Sequence, residues 1–298
     1  MKKILKPIRI SDYVRVFHSA PQVYTGPDGA EVRKHRFYQN YVQNDHTFVN
    51  GPDGRLHLFG ITHPETSPQN VHDGELLLCH GICSGDPFSP DAFVDCGNVL
   101  PPDDRPVDLP EIHSPAIVYQ DGLYRMVYGP LEFRQLISRD LFHWERGNSL
   151  LSDPAGGSRD PQISQVDGTF FLCYCKDNKV MLVSSSDFIR WSNPKILLEL
   201  PDGIAPESPF LYHRGGIFYL FVCLWNPALW DGQDIAGAYQ AETLVFAADD
   251  LCSFSFDRIL TKVDSHAPEI LECGNRIFIS SAEYPARGIH LAQLDFAE

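Results

Sequence analysis

Apolar residues in this chain come in short bursts. The runs at 123–128, 169–174, 217–222 and 276–281 are aromatic or β-branched and have the length of strands. Each run follows a pair of turn formers: Asp121 and Gly122, Asp167 and Gly168, Gly215 and Gly216, Gly274 and Asn275. Such pairs favour the positive φ angles of tight hairpins, so each burst reads as the second strand of a hairpin. Helical periodicity is nearly absent, and 22 glycines and 23 prolines suit a chain of turns.

The bursts belong to a repeat. Seven residues before Gly122, Gly168, Gly216 and Asn275 stand Pro115, Pro161, Pro209 and Pro268, within the similar heads 113–117, 159–163, 207–211 and 266–270. A degenerate fifth head begins at Asp45, with Thr47 in the place of the proline and Gly54 seven residues on. These anchors are 68, 46, 48 and 59 residues apart. A unit of about 46 residues holding three or four strands, copied five times, predicts an all-β, five-bladed β-propeller. The expected organisation is one domain over 1–298, with blades starting near 45, 113, 159, 207 and 266.

Three units share a tail, small-x-Asp-apolar-x-x-aromatic, centred on Asp140, Asp187 and Asp250; it reads as a structural corner in which the aspartate caps a turn. The excess in the first copy, Thr62 to Pro110, reads as a long loop over one face. About 15 extra residues in the unit starting at Glu207 read as a second loop around Asn226–Ile235.

Composition narrows the partners. A net charge of −15 argues against nucleic acid and anionic membrane, both of which need a basic footprint. The first residues lack the apolar core of a signal peptide, and no stretch approaches the roughly 18 apolar residues of a membrane span. The eight cysteines then read as reduced, small hydrophobes in a cytoplasmic protein. Cys79 and Cys83 have the look of half a metal site, but no second half has suitable spacing.

In a propeller the innermost strands start at one face of a central channel, so the repeat heads converge. The position two before the anchor reads Asp45, His113, Arg159, Glu207, His266; the next reads His46, Ser114, Asp160, Ser208, Ala267. Structural repetition favours similar residues in such a column, whereas buried charges are costly unless paired or used. Three carboxylates on separate blades suit glycosidic bond cleavage, which needs a protonated acid and an ionised partner across the sugar ring. Glu207, in an apolar strand head, is the candidate acid, and Asp45 the base or nucleophile. Asp160 is the third carboxylate, kept ionised by Arg159. Plainer readings compete: a turn aspartate at Asp45, a structural salt bridge at Asp160, a satisfied core histidine at His266.

These motifs resemble the five-bladed β-propeller glycosidases, chiefly glycoside hydrolase family 43 and next the related family 32. The resemblance runs from about Asn44 to the end of the chain. It implies a catalytic trio of Asp45, Asp160 (in Arg-Asp-Pro) and Glu207 (in Glu-Ser-Pro), with Asp160 tuning the acid and stabilising the transition state. The segment at His266 resembles family 43, and the resemblance implies an axial histidine there that supports a structural calcium or a water cluster. No cofactor is otherwise required. His46 departs from the proline usual after the first aspartate, and His113 from a common aromatic.

The expected activity is an exo-acting glycosidase on small β-xylosides, arabinofuranosides or fructosides, with a small oligosaccharide or glycoside as partner. Alternatives on the same scaffold are a retaining β-fructosidase, a glycoside phosphorylase and a non-catalytic carbohydrate-binding propeller. His113, Arg159, Trp225, His63 and Arg287 are the candidate substrate-binding residues, with Trp230 beside them on the second loop. One conflict remains: Asp160 lies one residue closer to its proline than Glu207, so simple alternation cannot point both at the axis. Either the third blade enters with a local twist, or Arg159 faces the substrate in place of Asp160.

Overall fold

Tight turns set the architecture. Asp121 and Gly122 (φ 52° and 80°), Asp167 and Gly168 (49° and 78°), and Gly215 and Gly216 (59° and 77°) all take the left-handed conformation that a two-residue hairpin requires. In the computed structural model, which describes residues 2–29, 32–66, 75–99, 111–153, 156–225 and 242–298, these hairpins build five antiparallel sheets around an axis.

The N-terminal strands are β1 (Lys6–Arg9), β2 (Val14–Phe17), β3 (Gln22–Val23) and β4 (Phe37–Tyr38). Blade one follows as β5 (Tyr41–Asn50), β6 (Leu56–Pro64), β7 (Leu77–Cys83) and β8 (Val94–Val99). Blade two holds β9 (His113–Gln120), β10 (Leu123–Gly129), β11 (Glu132–Ser138), β12 (Trp144–Arg146) and β13 (Leu151–Ser152). Blade three holds β14 (Arg159–Val166), β15 (Thr169–Lys176), β16 (Lys179–Ser185) and β17 (Lys195–Glu199). Blade four holds β18 (Ala205–Arg214), β19 (Ile217–Trp225), β20 (Thr243–Ala248) and β21 (Ile259–Val263). Blade five is completed from both ends of the sequence: β22 (Ile270–Cys273), β23 (Arg276–Ala282) and β24 (Ile289–Ala297) are joined by β1 and β2, which both pair with β24.

The stretch 62–110 is therefore not a single loop. It carries β7 and β8, the third and fourth strands of blade one. The apolar run Leu76–Cys83 is fully buried and belongs in a sheet. The second expected loop, around Asn226–Ile235 with Trp230, lies outside the described residues.

Each middle strand faces two neighbouring blades, which explains its unbroken hydrophobicity. Leu58 faces blade five and Phe59 blade two; Leu220 and Val222 face blade three, while Tyr219 and Phe221 face blade five. Period-2 alternation thus feeds apolar clusters at all five seams, not a core face and a solvent face. Phe17 of β2 is fully buried in the seam between blades five and one, against Leu58, Phe278 and Leu291. Phe17→Ala is expected to cost about 3–5 kcal/mol, read from urea denaturation, because the cavity opens where the ring of blades closes.

The shared tail is a capped corner. Asp140 Oδ1 accepts from the backbone N–H groups of Phe142 (2.9 Å) and His143 (2.8 Å), and Asp187 Oδ1 from those of Ile189 (2.9 Å) and Arg190 (2.8 Å).

A β-bulge recurs at the repeat heads. Pairing shifts register between Gln43 and His46, between Val127 and Gly129 opposite β9, between Arg159 and Gln162, and between Glu207 and Phe210. The residue before each anchor proline is left-handed: Ser114 (φ 46°), Asp160 (54°), Ser208 (45°) and Ala267 (46°). In a bulge two residues oppose one, so adjacent side chains reach the same side. That resolves the conflict over blade three. The twist belongs to the repeat, and both Arg159 and Asp160 line the axial cavity.

Candidate active site

The heads of blades one to four open onto one cavity of about 460 Å³, within the range of small-molecule sites. Asp45, Arg159, Asp160, Glu207 and His113 line it, and so do Glu75, just before β7 of blade one, and Glu111, just before β9 of blade two. The three candidate carboxylates are all buried.

Asp45 is held by two serines from the repeat heads. Ser114 Oγ donates to its Oδ2 at 2.6 Å, and Ser208 Oγ donates to its Oδ1. Ser114 Oγ also lies 3.4 Å from Asp160 Oδ1, so one hydroxyl bridges two carboxylates. Asp160 Oδ2 accepts from the Ser208 N–H at 3.3 Å and pairs with Arg159 Nε at 3.3 Å. Arg159 Nη2 in turn donates to the carbonyl of Pro206 at 2.5 Å, the residue before Glu207. Blades one to four are thus stitched together through the residues that carry charge.

Burial and mutual repulsion set the protonation states. Burial, then the charge of Asp160, raises Asp45 to about 7, while the Ser114 and Ser208 hydroxyls pull it back. Burial, then the charges of Asp160 and Asp45, pushes Glu207 well above the usual carboxylate range, and Arg159 offsets part of this. Glu207 Oε2 has no hydrogen-bond partner among the described residues, which suits a protonated group awaiting an acceptor. Burial lowers the Arg159 guanidinium's affinity for its proton, but the neighbouring negative groups, Asp160 foremost, together outweigh burial and keep it cationic.

Two further expectations concern histidines. His113 lines the cavity with Nε2 at 3.5 Å from Glu75 Oε2. His266 lies deeper, with Nε2 at 3.1 Å from Asn44 Oδ1 and Nδ1 at 4.0 Å from Glu207 Oε2. Calcium takes roughly 6–8 oxygen ligands. Among the described residues, no group of three or more His, Cys, Asp or Glu is arranged to hold a metal.

His63 and Arg287 do not line the cavity. His63 is buried in β6 with Nδ1 at 3.1 Å from the carbonyl of Pro64. Arg287 forms ion pairs with Glu283 at 3.1 Å and Glu65 at 2.5 Å. Trp225 closes β19, its backbone paired with Ala205, and its side chain lies outside the described set. Sequence reasoning gave no role to Ser114 and Ser208, although the column beside the acids contained both. It passed over Glu75, which lies in the stretch read as a loop, and Glu111, just beyond its end.

No protein-family model matches the sequence, and no curated protein sequence matches it. Solved structures do. A GH32 β-fructofuranosidase from Bombyx mori aligns with a TM-score of 0.61 at 17% identity over 84% of this chain, which spans 60% of that enzyme's chain. A glycosyl hydrolase from Bacteroides ovatus aligns with a TM-score of 0.60 at 17% identity, covering 97% of both chains. The catalytic domain of a GH62 α-L-arabinofuranosidase from Coprinopsis cinerea gives 0.59 at 13% identity, over 96% of this chain and 98% of its own. The chain has the five-bladed β-propeller fold of these glycosidases.

Proposed function

We propose that the protein is a glycoside hydrolase that removes terminal arabinofuranosyl, xylosyl or fructosyl units from small glycosides. The observation that carries this reading is the trio of buried carboxyls from blades one, three and four in one cavity, two of them with raised proton affinity. Glu207 is the general acid, handing its proton to the leaving oxygen. Asp45 is the base that takes a proton from the attacking water, and a carboxylate raised to about 7 accepts that proton better than an ordinary one. Asp160, held by Arg159 and the Ser208 N–H, stays close to both and favours the positive charge that develops on the sugar ring. A base assignment predicts inversion at the anomeric carbon.

The solved neighbours support the substrate class: they include a β-fructofuranosidase with sucrose, an exo-1,5-α-L-arabinanase and an α-L-arabinofuranosidase. The eight cysteines are free thiols, which supports a reducing, cytoplasmic setting.

The test is a panel of aryl α-L-arabinofuranosides and β-xylosides with sucrose as the fructoside, assayed with and without inorganic phosphate. Turnover independent of phosphate is expected; turnover that requires phosphate makes the protein a phosphorylase and overturns the reading.

The pH dependence follows from the same geometry. kcat/KM is expected to fall below about pH 7 as Asp45 takes a proton, and again at high pH as Glu207 loses one. Ser208→Ala removes a donor to the Asp45 carboxylate, worth about 1.5–3 kcal/mol, and moves the acid limb upward by about 1–2 pH units. Alanine is tolerated there, since Ala267 holds φ 46° at the equivalent position of blade five.

A further inference from the structure

Among the described residues, blade five gives the cavity no lining side chain. It nevertheless grips the strand segment that carries Asp45. Glu283 Oε1 accepts from the Gln43 N–H at 3.1 Å and from the Gly288 N–H at 2.9 Å. His266 Nε2 lies 3.1 Å from Asn44 Oδ1, and Ser280 Oγ lies 2.8 Å from His46 Nε2. Residues 43, 44 and 46 are each held from blade five, and the residue they flank is Asp45.

The bulge makes this grip necessary. Pairing of β5 with β6 is interrupted between Gln43 and His46, so the segment bearing the carboxylate must take its support from outside its own sheet. Glu283 is built for the purpose. It is buried, and a buried carboxylate is costly unless paired; Arg287 Nη1 meets its Oε2 at 3.1 Å, while Arg287 Nη2 reaches Glu65 of blade one. Its backbone is left-handed at φ 54°, a strained state for a glutamate, and its N–H closes the loop on the Gly288 carbonyl at 2.9 Å.

The geometry points to Glu283 as a positioning residue, clamping the backbone two residues before Asp45 and so fixing where that carboxylate meets the attacking water. The catalytic half of this inference rests on the hydrolase reading; the clamp does not.

The experiment compares wild type with Glu283→Ala, Glu283→Asp and Glu283→Gln by steady-state kinetics and by amide hydrogen exchange over residues 43–46. Glu283→Ala is expected to lower kcat about 10–100-fold with KM within about threefold, and to speed exchange in that segment. Glu283→Asp keeps the charge but is one methylene short of Gln43; it behaves like the alanine variant and supplies a second case should alanine unfold the loop. Glu283→Gln keeps an acceptor for both N–H groups and restores most of the exchange protection and kcat. Unchanged exchange over 43–46 in the alanine and aspartate variants overturns the clamp, and faster exchange with unchanged kcat overturns its catalytic role. Should wild type turn over no glycoside, exchange still decides the clamp, and the failure belongs to the hydrolase reading alone.

Discussion

Glu207→Gln is expected to lose about 10²–10⁴-fold in kcat/KM on glycosides with alkyl or sugar leaving groups, and far less on activated aryl glycosides. A nitrophenolate departs without help from an acid; an alkoxide does not. Glutamine keeps the size of the side chain in the buried pocket but carries no transferable proton, so sugar binding is retained. Rates measured against leaving-group basicity check this. A variant that loses activity uniformly across leaving groups has lost something other than its acid.

Asp45→Asn is expected to be inactive and, above neutral pH, more stable than wild type. The folded protein raises Asp45 to about 7 from 3.8, so the folded state binds a proton that the unfolded chain releases between those values. Stability contributed by this group is therefore present below about pH 4 and lost as pH rises through about 7. At pH 8 wild type carries an ionised, buried carboxylate near Asp160, a penalty of about 2–4 kcal/mol that asparagine avoids. Urea denaturation at pH 8 and pH 4 checks it: the variant gains at the first and little at the second. Equal stability of the two proteins at both values contradicts a strained axial carboxylate. Gaining stability by losing activity is the trade expected where like charges are forced together for chemistry.

How far the sequence reveals this molecule depends on the range of the signal. The turn pairs Asp121-Gly122, Asp167-Gly168 and Gly215-Gly216 are local, and each specifies its hairpin from two residues. The anchor prolines place Asp160 and Glu207 on blades three and four, the degenerate head with Thr47 places Asp45 on blade one, and the structure brings the three into one cavity. Closure of blade five by β1 and β2 was illegible: two four-residue strands pair with β24 from the opposite end of the chain, and nothing in their composition marks the partner. The head bulge showed in the sequence only as the phase conflict between Asp160 and Glu207, because Ser114, Ser208 and Ala267 adopt positive φ without the glycine that usually announces it. Blade one misled for another reason. Thr47 stands where the other heads have proline, and the run Leu76–Cys83 lacks the turn pair that marks other strands, so two strands were absorbed into a loop. Glu283 escaped notice because its partner, Gln43, is distant in sequence and adjacent only when the ring closes.

The most direct test of the central claim is one NMR time course on an alkyl α-L-arabinofuranoside, an alkyl β-xyloside and sucrose, with wild type and Glu207→Gln side by side. Wild type is expected to release the free sugar from at least one of them as the inverted anomer, with product from the glutamine variant lower by about 10²-fold or more. Saturable sugar binding by wild type with no product from any of the three contradicts the account, and leaves a propeller that holds sugars without cleaving them.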